Sequence, residues 1–205
     1  MNTRAITEIL AKKYGKGDLL DIGAGYGRYR DMIAHHVEKY FSSDRFDTRA
    51  DFVEDSAHLG HTDESFGTVL CNQTLEHTEN PEQSVKEMFR VLKNGGYAIA
   101  TVPFLFPEHK DPTDFRRYTR DGFVQLFTKA GFKVIECKSY GNFLGVSAEF
   151  IRMSTHNPYK PRRNPFIRKF GYYLSRFFEF LESSSREQIS ETSIFYPNLY
   201  IVARK

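Results

Sequence analysis

Tryptophan is absent from these 205 residues and cysteine occurs only twice, at Cys71 and Cys137. Each thiol sits inside an apolar, strand-like run. The pair can build neither a disulfide framework nor a multi-cysteine zinc site, so two buried, reduced thiols are expected. No run reaches the roughly 18–20 apolar residues that a membrane-spanning helix needs. The opening MNTRAITEIL has no apolar stretch behind Arg4, so it does not read as a secretory leader. Internal repeats and low-complexity tracts are missing as well. These absences speak against a disulfide-rich secreted module, a helical membrane protein and a solenoid. A cytoplasmic protein with one domain over residues 1–205 is the expectation.

What is abundant is aromatic and unevenly charged. Phe and Tyr together make 15 % of the chain. Residues 1–150 carry 19 Lys/Arg against 22 Asp/Glu, whereas residues 151–205 carry 10 against 4. Seven basic residues and no acid fall between Arg152 and Arg176. This basic, aromatic stretch, bounded at about 146–192, reads as an insertion before the last strand.

The hydropathy pattern alternates strands with helices. A leading helix is expected over 2–14, a buried strand at Leu19–Ile22 and a helix over 27–38. Strands are expected at 39–44, 51–55, 67–73, 97–103 and 132–137. Pro81 opens a helix that runs through Leu92 and is stopped by Asn94-Gly95-Gly96. Another helix spans 119–130, and two strand-like pieces flank Pro197-Asn198. Nearly continuous apolar strands between helices indicate a doubly wound, mostly parallel α/β sheet covered on both faces.

The most informative stretch is Asp18–Gly27, Asp-Leu-Leu-Asp-Ile-Gly-Ala-Gly-Tyr-Gly. Glycines at Gly23, Gly25 and Gly27 let the backbone approach a ligand with no Cβ in the way, at the turn where α/β sheets hold nucleotide-like cofactors. The dinucleotide fingerprint fails, because Arg28 stands where its third glycine belongs. A phosphate-binding P-loop is absent too. The pattern Asp-x-Gly-x-Gly-x-Gly resembles the first motif of the class I S-adenosylmethionine-dependent methyltransferases. The run from Ser65-Phe66 through Leu75-Glu76-His77 to Leu92-Lys93-Asn94-Gly95-Gly96 is similar to the same family, apart from Gly67 where the family has aspartate. Pro107-Glu108-His109, Pro112, Asp114-Phe115 and Arg117-Tyr118-Thr119 resemble a subgroup associated with polysaccharide or lipid-linked sugar biosynthesis. The resemblance covers about residues 17–138 and, loosely, the last strand.

The resemblance implies a seven-stranded Rossmann-like sheet with an antiparallel C-terminal edge strand pair. It implies S-adenosylmethionine as cofactor and S-adenosylhomocysteine as product. Asp21, Gly23, Ala24 and Gly25 would lie at the first turn, and Asp44 would hold the ribose. Asp55 and Ser56 would stand near the adenine, and Asn72, Gln73 and Leu75 at the methionine end. Ribose suits a carboxylate, which accepts two hydrogen bonds from a vicinal diol. An alcohol acceptor benefits from a general base, for which His77 and His109 are the candidates, each with a plainer reading as a cap or loop residue. Arg116, Arg117 and Tyr118 suit an anionic acceptor; alternatively Arg117 pairs with Asp114 to shape the loop. Glu108, His109, Asp111 and Asp114 match no zinc spacing, and no metal is expected.

Nucleic acid is not the expected partner. Asn72-Gln73-Thr74-Leu75 lacks the Pro-Pro-aromatic run of amino-directed DNA enzymes, and Cys71 follows Leu70 rather than proline. A small-molecule acceptor, a sugar or lipid-linked glycan precursor, is expected instead. A cofactor-binding but inactive module that recruits a partner or membrane is the alternative. Within 165–182, Phe166, Phe170, Tyr173, Phe177 and Leu181 recur at helical spacing. That face suits the active site, a homodimer mate or peripheral contact with an anionic membrane. Gly171 argues against a continuous helix.

Overall fold

The computed structural model describes residues 2–109, 113–155, 164–184 and 189–205. Helix α1 (Thr3–Tyr14) is capped by Asn2, whose side chain accepts the Ala5 N–H. It leads into β1 (Leu19–Ile22), α2 (Arg30–Ile33), β2 (Tyr40–Asp44), β3 (Phe52–Val53) and β4 (Phe66–Asn72). A single 3-10 turn, Leu75–His77, precedes α3 (Pro81–Val91), β5 (Leu92–Pro103), α4 (Arg120–Lys129) and β6 (Lys133–Tyr140). Then come α5 (Phe143–Thr155), α6 (Pro165–Ser183), β7 (Ile189–Ser190) and β8 (Asn198–Arg204).

Among the described residues the strands form one eight-stranded sheet in the order β3-β2-β1-β4-β5-β8-β6-β7. The strands from β3 to β5 pair in parallel, and β8 lies antiparallel between β5 and β6. The expected antiparallel C-terminal strands are present. The eighth strand is the two-residue β7 on the edge beside β6. Alternation along each strand sends side chains to two separate cores. Leu20, Ile22, Val69, Cys71, Ala98 and Ala100 pack with Val85, Met88, Phe123 and Phe127 beneath α3 and α4. Leu19, Leu70 and Ile99 pack with Ile6, Leu10 and Ile33 beneath α1 and α2. Both faces are therefore dry, as the apolar strands required. The two cysteines are unpaired: Cys71 is buried and Cys137 half-buried.

Three elements differ from expectation. The helix over 27–38 shrinks to Arg30–Ile33 and a 3-10 turn, because Gly27 at φ +79 extends the preceding turn. Helix α3 ends at Val91, before the glycines. Strand β5 starts at Leu92 and absorbs Gly95 (φ +76) in a register shift between Phe66↔Leu92 and Thr68↔Tyr97. At the C-terminal end only Asn198–Arg204 forms a strand; Ile194 to Pro197 remains irregular.

Helix α6 is continuous despite Gly171. A Cβ at Gly171 would overlap the Thr155 side chain, and Ser175 is buried, so small residues give α5 and α6 their close approach. The aromatic face points the other way, with Phe166 at 77 %, Phe170 at 62 % and Tyr173 at 61 % exposure. Among the described residues, no helix is long and apolar enough to cross a membrane.

Candidate active site

The parallel strands end together, and the site is built from the turns that follow them. After β1, Gly23 (φ +71) and Gly25 (φ +56) hold left-handed backbone that L-residues resist. Gly23 and Ala24 donate their N–H groups to Ser43 O at 2.8 and 3.1 Å. Asp44, at the end of β2, ties the turn down from the other side. Its Oδ2 accepts the Gly25 N–H at 2.9 Å, and its Oδ1 accepts those of Phe46 and Asp47 at 2.8 and 2.9 Å. A carboxylate has about four acceptor positions, so one remains on Oδ2. The two glycines differ in surroundings. A Cβ on Gly23 would stand 2.9 Å from Thr74 Cβ, whereas one on Gly25 meets nothing nearer than Asp47 Oδ2 at 3.9 Å.

Two adjoining cavities of about 330 and 710 Å³ share Gly23, Asp44, Phe46, Gln73 and His77 in their walls. Such volumes suit a small ligand or cofactor. The smaller is also lined by Asp55, Ser56, Ala57, Thr113 and Phe115, and the larger by Ala24, Gly25, Asn72, Phe106 and His109. Of the residues expected at a cofactor, Asp21 and Leu75 line neither cavity; both are buried behind the wall. The remaining eight are gathered around the cleft.

Two features favour a polar ligand here. Asn72 Oδ1 accepts from Thr101 Oγ1 at 3.0 Å, but its buried Nδ2 has no partner among the described residues. Gln73 holds φ +49, a strained conformation for a non-glycine residue, at the end of β4. An unsatisfied amide donor, a glycine cradle and carboxylates at successive strand ends fit an amino-acid nucleoside such as S-adenosylmethionine.

Asp21 has a different role. It lies beside Tyr40, whose hydroxyl donates to Oδ2, and burial pushes its pKa up to about 7. The unfolded carboxyl titrates near 3.8. Between these values the unfolded chain has lost this proton and the native chain keeps it. Native stability from this group therefore falls as pH rises through the window and levels off above about 7. Urea midpoints of wild type and Asp21→Asn should shift in favour of the variant between pH 5 and pH 8, by a few kcal/mol at most. An unchanged difference would show that Asp21 is ionised throughout.

Above the cleft, residues 113–115 are stitched to the 3-10 turn. Phe115 N–H donates to Glu76 O at 2.9 Å, and His77 Nδ1 lies 2.6 Å from Thr113 O. A carbonyl only accepts, so Nδ1 carries a proton, and in the neutral ring Nε2 keeps its lone pair. The His77 and His109 rings stand edge to face with centroids 4.9 Å apart. Behind them Asp114, with a side chain 1 % exposed, takes a forked contact from Arg117. Arg117 Nη2 donates to Asp114 Oδ2 at 2.6 Å and also reaches the Phe106 and Pro107 carbonyls. Burial alone would raise the Asp114 pKa; Arg117 and the His109 N–H hold it below the usual range.

In this geometry the three expected acceptor contacts have neighbours within the chain. Arg117 is committed to Asp114, the alternative raised by their spacing. Tyr118 turns inward onto Phe123, with its hydroxyl buried and its pKa pushed up to about 12. Arg116 Nη2 donates to Glu79 O at 3.2 Å at the surface. Asp111 and Pro112 lie outside the described residues. The sequence reading gave Glu76 no part in the site. Glu76 is fully buried, and neither carboxylate oxygen has a hydrogen-bond partner among the described residues; burial pushes its pKa up to about 8. A glutamate between an apolar Leu75 and a histidine was the available signal.

Residues 20–100 match a family model described as "Methyltransferase domain". A Mycolicibacterium smegmatis protein named "Probable S-adenosylmethionine-dependent methyltransferase" is 28 % identical over 142 residues. That match covers 61 % of this chain and 55 % of the relative. Among solved structures, the [4+2]-cyclase SpnF superimposes with a TM-score of 0.62 at 19 % identity, over 98 % of this chain and 80 % of its own. Phosphoethanolamine N-methyltransferase 2 of Haemonchus contortus, in complex with S-adenosyl-L-methionine, gives 0.60 at 14 % identity, over 98 % and 52 %. At these identities the structural likeness speaks for the fold alone.

Proposed function

We propose that this chain is an S-adenosylmethionine-dependent methyltransferase that methylates a small-molecule acceptor of the sugar or lipid-linked glycan class. One observation carries the reading: the glycine turn, the strand-end carboxylates and the histidine pair all line the same cleft. Gly23 and Gly25, with no Cβ in the way, would let the methionine portion lie close against the turn, with Asn72 Nδ2 as its donor. Asp44 would offer its remaining Oδ2 position to the ribose, and Asp55 and Ser56 would face the adenine.

When bound, the cofactor supplies a methyl group already activated on a sulfonium. The protein's own work is then alignment, exclusion of water and handling of the acceptor proton. The segment 113–115, held down on the 3-10 turn, covers the cleft. His77 Nε2, with its tautomer set by Thr113 O, can take a proton from an acceptor hydroxyl, and His109 stands beside it. Thr78, Asn80, Thr113 and the half-exposed Phe115 ring in the smaller cavity offer the polar groups and flat face that a sugar uses. The open aromatic face of α6, interleaved with Arg168, Lys169 and Arg176, suits an anionic lipid surface bearing such an acceptor.

The first test is calorimetric titration of S-adenosylmethionine and S-adenosylhomocysteine into wild type and Asp44→Ala, with melting curves alongside. Micromolar binding is expected. The variant should lose roughly 10- to 100-fold, the size of hydrogen bonds to a charged group. Labelled-methyl transfer is then read for nucleotide sugars in solution and lipid-linked sugars in anionic vesicles. No binding at millimolar cofactor would overturn the reading. Binding without any methylated product would favour the non-catalytic, recruiting module.

A further inference from the structure

Glu76, His77 and His109 each offer one donor atom, and the three atoms lie within 4.8 Å of one another. We infer that they form a binding site for a divalent first-row metal ion, placed in the wall of the larger cavity. The loop spacing suggested no such site, because the fold recruits a different set: two neighbours from the 3-10 turn and one histidine from the segment after β5.

Glu76 is the strongest argument. It is 0 % exposed, and neither oxygen has a hydrogen-bond partner among the described residues. A buried carboxylate without donors is costly to keep, and a cation among its neighbours offsets that cost. His77 Nε2 faces it at 3.9 Å. The donor chemistry is specific: two imidazoles and one carboxylate form the set used by open zinc and non-haem iron sites, which leave positions for water or substrate. Oxygen-only cations such as magnesium and calcium are disfavoured by the same set.

The surroundings are those of a ligating pair. His77 Nδ1–H is held by Thr113 O, which presents Nε2 to a metal. His109 Nδ1 is buried 3.3 Å from Asp114 Oδ2, outside hydrogen-bond geometry. A carbonyl that accepts from the far ring nitrogen, as Thr113 O does for His77, is the outer arrangement that orients metal-bound histidines. With metal–nitrogen bonds of about 2.0–2.1 Å, tetrahedral donors stand about 3.4 Å apart. Loading therefore draws the rings inward by about an ångström, and His109 on its loop segment can supply that movement. Where the methyltransferase reading holds, and on that reading alone, a bound metal would replace His77 as the device that activates the acceptor: Nε2 becomes a ligand instead of a base, and the open positions take the acceptor's hydroxyl oxygen and lower its pKa before methylation.

The test uses the full chain stripped with a chelator and then titrated with zinc chloride alone, followed by cobalt(II) for its ligand-field spectrum. Wild type should bind one ion per chain. His109→Ala and the isosteric Glu76→Gln should each bind at least 100-fold more weakly, with far-ultraviolet circular dichroism unchanged in at least the loop variant. Absence of binding, or equal binding by wild type and His109→Ala, would overturn the site. Titration of S-adenosylhomocysteine into the stripped protein reads the cofactor assignment separately, so failure of either reading leaves the other standing.

Discussion

Replacing Arg117 with alanine should destabilise the protein by about 3–5 kcal/mol, the usual cost of breaking a buried ion pair from one side. The cause is what remains behind. Asp114 keeps a charge inside the protein with its side chain 1 % exposed and its forked partner gone. The same guanidinium also holds the Phe106 and Pro107 carbonyls, so the segment carrying His109 loses its anchor. Lysine should rescue poorly, because one ammonium cannot reproduce the fork. Chemical denaturation of Arg117→Ala, Asp114→Asn and the double variant would check this. The double variant should be more stable than Arg117→Ala, since it removes the stranded charge. Equal stability of wild type and Arg117→Ala would mean that Asp114 is hydrated and the pair is ornamental.

The second large effect separates two glycines of one motif. Gly23→Ala should cost roughly 2–4 kcal/mol, combining left-handed strain with an overlap of Thr74. Thr74 has little room to yield, because its hydroxyl is bonded to Asn72 O at 3.0 Å and reaches Ile22 O at 3.4 Å. Gly25→Ala carries the strain without the overlap, about 1 kcal/mol, yet its methyl would enter the larger cavity. Melting temperature should therefore fall chiefly for Gly23→Ala. Cofactor titration should weaken strongly for Gly25→Ala, whose fold survives. The reverse pattern would show that the turn is organised by its ligand and not by Thr74.

Much of the fold was legible because the signals were local. Apolar runs located β1, β4 and β6, Pro81 and Thr119 marked the starts of α3 and α4, and the glycine turn sat where it was expected. Failures came where a distant partner decided. Leu92 joins β5 because Phe66 pairs with it, which no property of Leu92-Lys93-Asn94 announces. Gly171 reads as a helix breaker until Thr155 is found packed on it. The candidate site followed the same rule. Asp44, Asp55, Asn72 and Gln73 reached the cleft through strand ends, whose positions follow from periodicity. Tyr118 turned into the core because Phe123, five residues further on in α4, waits there. Glu76 and His109 are far apart in the chain, and only the closing of residues 113–115 onto the 3-10 turn brings their surroundings together.

The position of β8 has a consequence for how the molecule is assembled during synthesis. Among the described residues, β6 and β7 join the parallel half of the sheet only through β8, which pairs with β5 on one side and β6 on the other. As the chain leaves the ribosome, β1 to β5 can pair in turn, but β6 emerges with no neighbour and waits through two helices. During that interval the edge of β5 that later pairs with β8 is open to other chains. Closure of the seam by residues 198–204 should therefore be the last and slowest docking event. Nascent chains halted before that strand should be captured by chaperones, while the glycine turn far upstream is already in place.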